Sequence, residues 1–359
     1  MAKTKVPMDL DAECRVTGDY PFLDDWYGYP YAPTQKLNPP SGVKANYLAY
    51  LQGQDYEWVP DAHTDKVEIT PPCVPDIIAC GFGGGLDSFG VRWAPDVSNP
   101  ELPAFVETGL ITLDDITKWR DLTFPDVDSW DWKGQGERYR AFYQNDDRSM
   151  RGVIMIGFFE RMISLMGFQG AALSLAIEPE ESAAFLDAIA DVNIRMVDHY
   201  IDDFGCDSIL FHDDWSAQRG PFFSLDTAMD ILVPAVRKLT DHIHERGAIA
   251  MMHSCGNAVD LIPAIKAGGA DLWQAQPDAN DLEKATEACG DGLIIETYPI
   301  VPDGLQGDEL DAYIASFLDY TTRHRFCCEH VDMDEERCFD TRIRYYRQAR
   351  AMAVGGKTV

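Results

Sequence analysis

The side chains best suited to chemistry in this chain are a histidine and a cysteine two residues apart, His253 and Cys255 of His253-Ser254-Cys255-Gly256. In extended backbone, residues at that spacing face the same side, so an imidazole and a thiolate close on one ion from a single strand end. Zinc suits the pair, because it accepts nitrogen and sulfur ligands tetrahedrally, and a catalytic site uses three protein ligands and keeps a fourth position open. Cys327 or Cys328 is the expected third ligand, and Gly256 lets the chain turn sharply after the second. Alone the pattern is weak, since a buried cysteine usually packs as a small hydrophobe and a histidine usually bonds locally.

Its weight comes from the elements that must position it. Short apolar or β-branched runs alternate with longer helical patterns, the sign of repeated βα units. Strands are expected at Asp76–Gly81, Val153–Phe158, Ser208–His212, Ala248–His253, Asp271–Ala275, Leu293–Thr297 and Arg325–Cys328, with helices such as Pro179–Phe204 and Leu225–Arg246 between them. No glycine-rich phosphate loop of the spacing an open doubly wound sheet wants is present, and Gly83-Gly84-Gly85 reads as a turn. The expected fold is therefore α/β, a (β/α)8 TIM barrel over residues 73–359, although seven strands are countable and an eighth is not. Residues 1–72 read as an irregular arm around one short helix, Val43–Gln52. Residues 87–133, alternating aromatic and acidic, read as an insertion near the barrel mouth. In such a barrel the C-terminal strand ends form the active-site face. Those ends carry His212-Asp213-Asp214, His253-Ser254-Cys255, Gln274 and Gln276, Glu296, and Cys327-Cys328, a convergent polar set.

Composition limits the partners. A formal net charge of −30 opposes nucleic acid and anionic membrane surfaces, and it disfavours a polycarboxylate substrate. The most apolar stretch, 153–177, is broken by Glu160, Arg161 and Gln169, so no membrane span is expected. Pro7, Asp9, Asp11 and Glu13 stand where a signal peptide would be apolar, which points to the cytoplasm. Nine irregularly spaced cysteines are too sparse for a disulfide scaffold and should be reduced there.

The run from Asp207 to Gln276, with Phe211-His212-Asp213-Asp214-Trp215, Gln218, Ser224 and His253-Ser254-Cys255-Gly256, resembles the uroporphyrinogen decarboxylase superfamily, and within it the zinc-dependent, corrinoid-linked methyltransferases. Upstream, Asn46-Tyr47, Glu57-Trp58-Val59-Pro60 and Asp87 to Trp93 resemble the subgroup of anaerobic O-demethylase systems. The resemblance implies a (β/α)8 barrel and zinc held by a His-x-Cys pair plus a distant Cys, which His253 and Cys255 match. Cys327-Cys328-Glu329-His330 departs from the family context of the third ligand, and Cys338 competes for the role. Some methyl-ether members use carboxylates and a histidine, which keeps Glu296 as a fourth ligand, Glu329 and His330 in play. The decarboxylases of the superfamily hold their substrate with arginines near the N-terminus, where this chain is acidic.

The expected activity is thus methyl transfer from a small methoxylated, aromatic compound to the Co(I) of a separate corrinoid-binding protein. Zinc would stabilise charge on the leaving oxygen. His212, Asp213 or Asp214 would donate a proton to that oxygen or orient the substrate. Asp213-Asp214 also reads as a helix cap before Trp215. Gln218 and Gln276 would bond substrate substituents, and Trp93, with Trp26, Tyr27 and Trp130, would supply an apolar wall. The alternatives are transfer from a methylated corrinoid to a zinc-bound thiol, a decarboxylase, and a barrel that only docks a partner.

Overall fold

A computed structural model of the 359-residue chain describes residues 6–23, 34–99, 102–297, 304–328 and 335–355. Its centre is a curled, wholly parallel seven-stranded sheet, numbered here in chain order: β1 Lys66–Ile69, β2 Ser149–Ile154, β3 Ser208–His212, β4 Ile249–Ser254, β5 Leu272–Ala275, β6 Ile294–Thr297 and β7 Phe326–Cys328. Each strand pairs with its sequence neighbours, as successive βα units demand. The convex face carries Ile209, Phe211, Ala250, Met252, Trp273 and Ile295 into one large core with the helices. These include Phe159–Ile177, Pro179–His199 and Val233–Glu245.

The sheet forms a half-barrel, and among the described residues no eighth strand joins β7 to β1. The arm works at that gap. The helix Val43–Leu51 sends Tyr50 to the exposed edge of β7, where its hydroxyl donates to the Phe326 carbonyl and accepts from the Phe326 N–H at 3.2 Å. A tyrosine thus satisfies edge groups that a strand would have paired. Tyr47, Tyr50, Trp58 and Val59 pack with Leu210, Met251, Leu272 and Ile294 from the concave face, and with Tyr345 and Tyr346 of the helix Glu335–Gly355.

Two expected strands are displaced. Asp76–Gly81 belongs to a helix, Pro75–Cys80, with proline at its first turn, where a missing N–H costs nothing. The first strand of the sheet is instead Lys66–Ile69, ahead of residue 73. The second begins at Ser149 rather than Val153 and ends at Ile154. The other five agree with expectation to within a residue or so at each end. The strands Gly85–Leu86, Arg92–Ala94 and Phe105–Val106 form a three-stranded antiparallel meander, followed by two short 3-10 turns. No helix among the described residues is long and apolar enough to cross a membrane.

Candidate metal centre

Register places the polar residues in one layer. His212 pairs with His253, His253 with Gln274, Gln274 with Glu296, and Glu296 with Cys327, so all five project from the same face of adjacent parallel strands. Because the neighbouring layer holds Leu210, Met251, Leu272 and Ile294, this face is concave and the polar layer is interior.

Beyond the end of β4 the chain turns at Gly256, whose φ of 75° is the left-handed region, and whose missing Cβ would meet the Ser216 backbone. The turn is tied from several sides. Asn280 donates to the carbonyls of Gly256 at 2.8 Å and Gln276 at 2.7 Å and accepts from Ala258 N–H at 3.1 Å, and Ser216 donates to the Cys255 carbonyl at 2.8 Å. This clamp presents Cys255 toward His253, with Sγ 3.1 Å from Nε2. The third member is Asp214, whose Oδ1 accepts from the Cys255 N–H at 2.6 Å and lies 3.8 Å from His253 Nε2. One ligand atom from each of Asp214, His253 and Cys255 lies within 4.8 Å of the other two. Ligands bound to zinc at about 2.0–2.3 Å and tetrahedral angles stand about 3.3–3.6 Å apart, so this nitrogen, sulfur and oxygen set fits the ion.

The consecutive residues His212, Asp213 and Asp214 divide their work. Asp213 is buried, accepting from Phe158 N–H at 2.9 Å, Glu160 N–H at 3.0 Å and the Trp215 indole at 2.6 Å. Burial raises it to about 7 although those three donors favour its charged form. It is fully bonded and fixes the start of the helix Phe159–Ile177. His212 lies with its ring 4.5 Å from that of His253, and burial followed by His253 holds it well below the usual imidazole range, hence neutral.

His212, Asp214, His253 and Cys255 line a cavity of about 680 Å³. Its remaining wall is largely apolar, with Trp93, Phe105, Ile111, Phe168 and Phe222, and residues 103–111 of the expected insertion close one side. That segment is stitched to a kink in the Phe159–Ile177 helix. Gly167 there has φ 69°, and the Leu165 carbonyl turns to accept from Thr112 N–H at 2.8 Å and Leu113 N–H at 2.9 Å. Among the described residues no lysine or arginine lines the cavity, whereas Glu107, Glu160 and Asp214 do.

Glu160 is the residue that sequence reasoning missed, having entered only as a break in an apolar stretch. One of its carboxylate oxygens is buried without a hydrogen-bond partner. Burial, then Asp214 and Asp213, push its carboxyl well above the usual range. Its position in the first turn of the helix that follows β2 was the available signal. Burial, then Asp214 and Glu160, likewise push the Cys255 thiol far up.

The other expected site residues stand elsewhere. Cys327 is fully buried among arm residues and is not part of the Asp214, His253 and Cys255 cluster; burial followed by Glu296 raises its thiol strongly. The side chains of Cys328 and Cys338, and Glu329 and His330 entirely, lie outside the described residues. Glu296 is bound by Arg151 at 2.7 and 3.0 Å and by Gln274 at 2.7 Å, away from the cluster. Gln218 and Gln276 bond each other at 3.1 Å, and Gln276 accepts from Gly256 N–H at 2.8 Å, so both brace the turn rather than line the cavity. Trp93 does line it, held by its indole to Asp87 at 3.1 Å. Trp130 packs on Trp132, and Trp26 and Tyr27 lie outside the described residues.

The uroporphyrinogen decarboxylase (URO-D) family model matches residues 141–296, a span that takes in β2 to β6 and the whole candidate centre. The resemblance to that superfamily therefore holds over this part of the chain. Among solved structures, a methyltransferase from Methanosarcina mazei is similar at 14% identity and a TM-score of 0.58, covering 86% of this chain and 98% of that one. A sugar phosphate isomerase/epimerase from Parabacteroides distasonis aligns at 9% identity and TM-score 0.35, over 59% of this chain and 80% of its own. An AP endonuclease, family 2, from Brucella melitensis aligns at 12% identity and TM-score 0.35, over 56% and 79%. No curated protein matches the sequence.

Proposed function

We propose that this chain, with its uroporphyrinogen decarboxylase-type segment and a fold shared with a methyltransferase, is a zinc-dependent methyltransferase. It takes a methyl group from a small methoxylated, aromatic compound and delivers it to the Co(I) of a separate corrinoid protein. The observation that carries the reading is a nitrogen, sulfur and oxygen donor set on the wall of a largely apolar cavity of about 680 Å³. His253, Cys255 and Asp214 would hold the zinc, with Asp214 in the place expected for Cys327 or Cys328. Bound there, zinc supplies Lewis acidity toward an ether oxygen.

The chain's own residues do the rest. Trp93, Phe105, Phe168 and Phe222 would face an apolar ring along the cavity wall. Glu160, facing the same space with its proton retained, is placed to give that proton to a leaving oxygen, the role expected of His212, Asp213 or Asp214. Asp213 positions Glu160 through the Glu160 N–H. Among the described residues no cationic side chain lines the cavity to pair the charges of a porphyrinogen polycarboxylate, which Glu107 and Asp214 would repel, and this speaks against such a substrate.

The test is to incubate zinc-loaded protein with a reduced corrinoid protein and a panel of methoxyarenes, following methyl-cobalt by its absorbance. Methyl-cobalt formation with at least one arene, abolished in Cys255→Ala, is expected. Turnover only from methylated corrinoid to a thiol, with every ether inert, would reverse the direction of transfer and sink the demethylase reading.

A further inference from the structure

Behind His253 a row of charged and polar side chains crosses the concave face of the half-barrel. Lys66 Nζ contacts Glu68 at 2.9 Å, Glu68 contacts Arg151 at 2.9 Å, and Arg151 contacts Glu296 at 2.7 and 3.0 Å. Gln274 then donates to Glu296 at 2.7 Å, and its Oε1 lies 2.9 Å from His253 Nδ1. Arg151 and Glu296 are both fully buried. Despite the cost of burial, Lys66 and Arg151 hold the Glu68 carboxyl below the usual range.

Donor and acceptor capacity fixes the direction of every bond in this row. Arg151 only donates, and a carboxylate only accepts. Glu296 must therefore accept from both neighbours, which turns the amide N–H2 of Gln274 toward it and leaves Gln274 Oε1 facing the imidazole. An amide oxygen accepts, so His253 carries its proton on Nδ1. Nε2 is left with its lone pair directed at Cys255 and Asp214. A metal-ligating histidine is commonly oriented in this way through its other nitrogen.

We infer that the buried Arg151–Glu296 pair, acting through Gln274, sets the tautomer of His253 and so makes its Nε2 competent to bind metal. Glu296 and Gln274 are positioning residues that touch neither ion nor substrate. This rests on the metal reading of the centre, yet it makes a separate prediction for the metal-free protein.

Gln274→Met removes the acceptor of the Nδ1 proton and leaves β6 and its ion pair untouched. The experiment records long-range 1H–15N correlations of the ¹⁵N-labelled, metal-free full-length chain, with the His253 ring assigned by its loss in His253→Gln. Zinc affinity is measured in parallel by chelator competition. The wild type should show the Nδ1–H form, and Gln274→Met a mixture of both forms with zinc affinity about ten- to a hundredfold weaker. One oxygen of Glu296, Oε1, accepts from both Arg151 and Gln274. Glu296→Met takes that oxygen away and should likewise release the ring, and Gln274→Met decides the matter if Glu296→Met does not fold. Retention of the Nδ1–H form together with wild-type zinc affinity in folded Gln274→Met overturns the inference. A mixed tautomer in the variant of a protein whose wild type binds no zinc supports the row and defeats the metal reading alone.

Discussion

Two groups of carboxylates lie on either side of the Glu160-Arg161 step, and they are treated differently. Asp76 and Asp87 converge on Arg161, with contacts of 2.8 and 2.7 Å and all three side chains buried. Asp87 also accepts the N–H groups of Phe89 and Val91 and the indole of Trp93, so this group fastens the aromatic meander to the helices Pro75–Cys80 and Phe159–Ile177. Asp213 and Asp214 gather with Glu160, the residue before Arg161, where among the described residues no lysine or arginine lines the cavity that Glu160 and Asp214 face. The first group is a matched ion cluster that builds architecture. The second is an acidic pocket beside an imidazole and a thiol, in which Glu160 and Cys255 are pushed toward their protonated forms.

Removing the matched cation should do the greatest damage. Arg161→Met strands two buried carboxylates and is expected to cost about 3–5 kcal/mol in urea unfolding. A loss below about 1 kcal/mol would show that the cluster is more hydrated than its burial indicates.

Asp213 sits between the two regimes, bonded like a structural acid yet raised like a site acid. Asp213→Asn turns an amide N–H2 against the Trp215 indole N–H and should cost about 1–3 kcal/mol. The unfolded carboxyl titrates near about 4 and the folded one at about 7. Between those values the native wild type holds a proton that the unfolded chain has released, so wild-type stability falls with rising pH, while the asparagine variant has no such term. The deficit of the variant should therefore narrow from pH 4 to pH 7. Urea midpoints of both proteins across that range check this, and a constant or widening gap contradicts it.

The smallest stability effect belongs to the unmatched group. Asp214→Asn keeps an acceptor for the Cys255 N–H and removes a charge that no ion pair with lysine or arginine holds among the described residues, so metal-free stability should stay within about 0.5 kcal/mol. A loss comparable with that of Arg161→Met would erase the distinction between the regions.

Much of this arrangement was legible from residue order alone. Ser208–His212 was read without error, and His-x-Cys at the end of β4 located the centre because side chains two apart share a face. What failed did so for physical reasons. The strand Lys66–Ile69 alternates charged and apolar residues, but here the charged side faces inward, made tolerable by Arg151 from the next strand, a partner invisible in local sequence. Ile77-Ile78 attracted a strand assignment because a short apolar run fits either element, and Pro75 was the clue to a helix start. Asp214 was seen at the right strand end, yet nothing in the order His212-Asp213-Asp214 tells which carboxylate turns down to cap a helix and which turns toward Cys255. That choice is made by the backbone of Phe158 and Glu160, more than fifty residues earlier in the chain.

The claim that matters most is that Asp214, rather than a distant cysteine, completes the centre with His253 and Cys255. Zinc titration of the metal-free chain against a chromophoric chelator tests it directly, comparing wild type with Cys255→Ala, Asp214→Asn and Cys327→Ala. The account predicts one tight equivalent in the wild type, about a hundredfold weaker binding in Cys255→Ala, a clear loss in Asp214→Asn, and unchanged affinity in Cys327→Ala. Zinc lost with Cys327 and kept without the Asp214 carboxylate would contradict it.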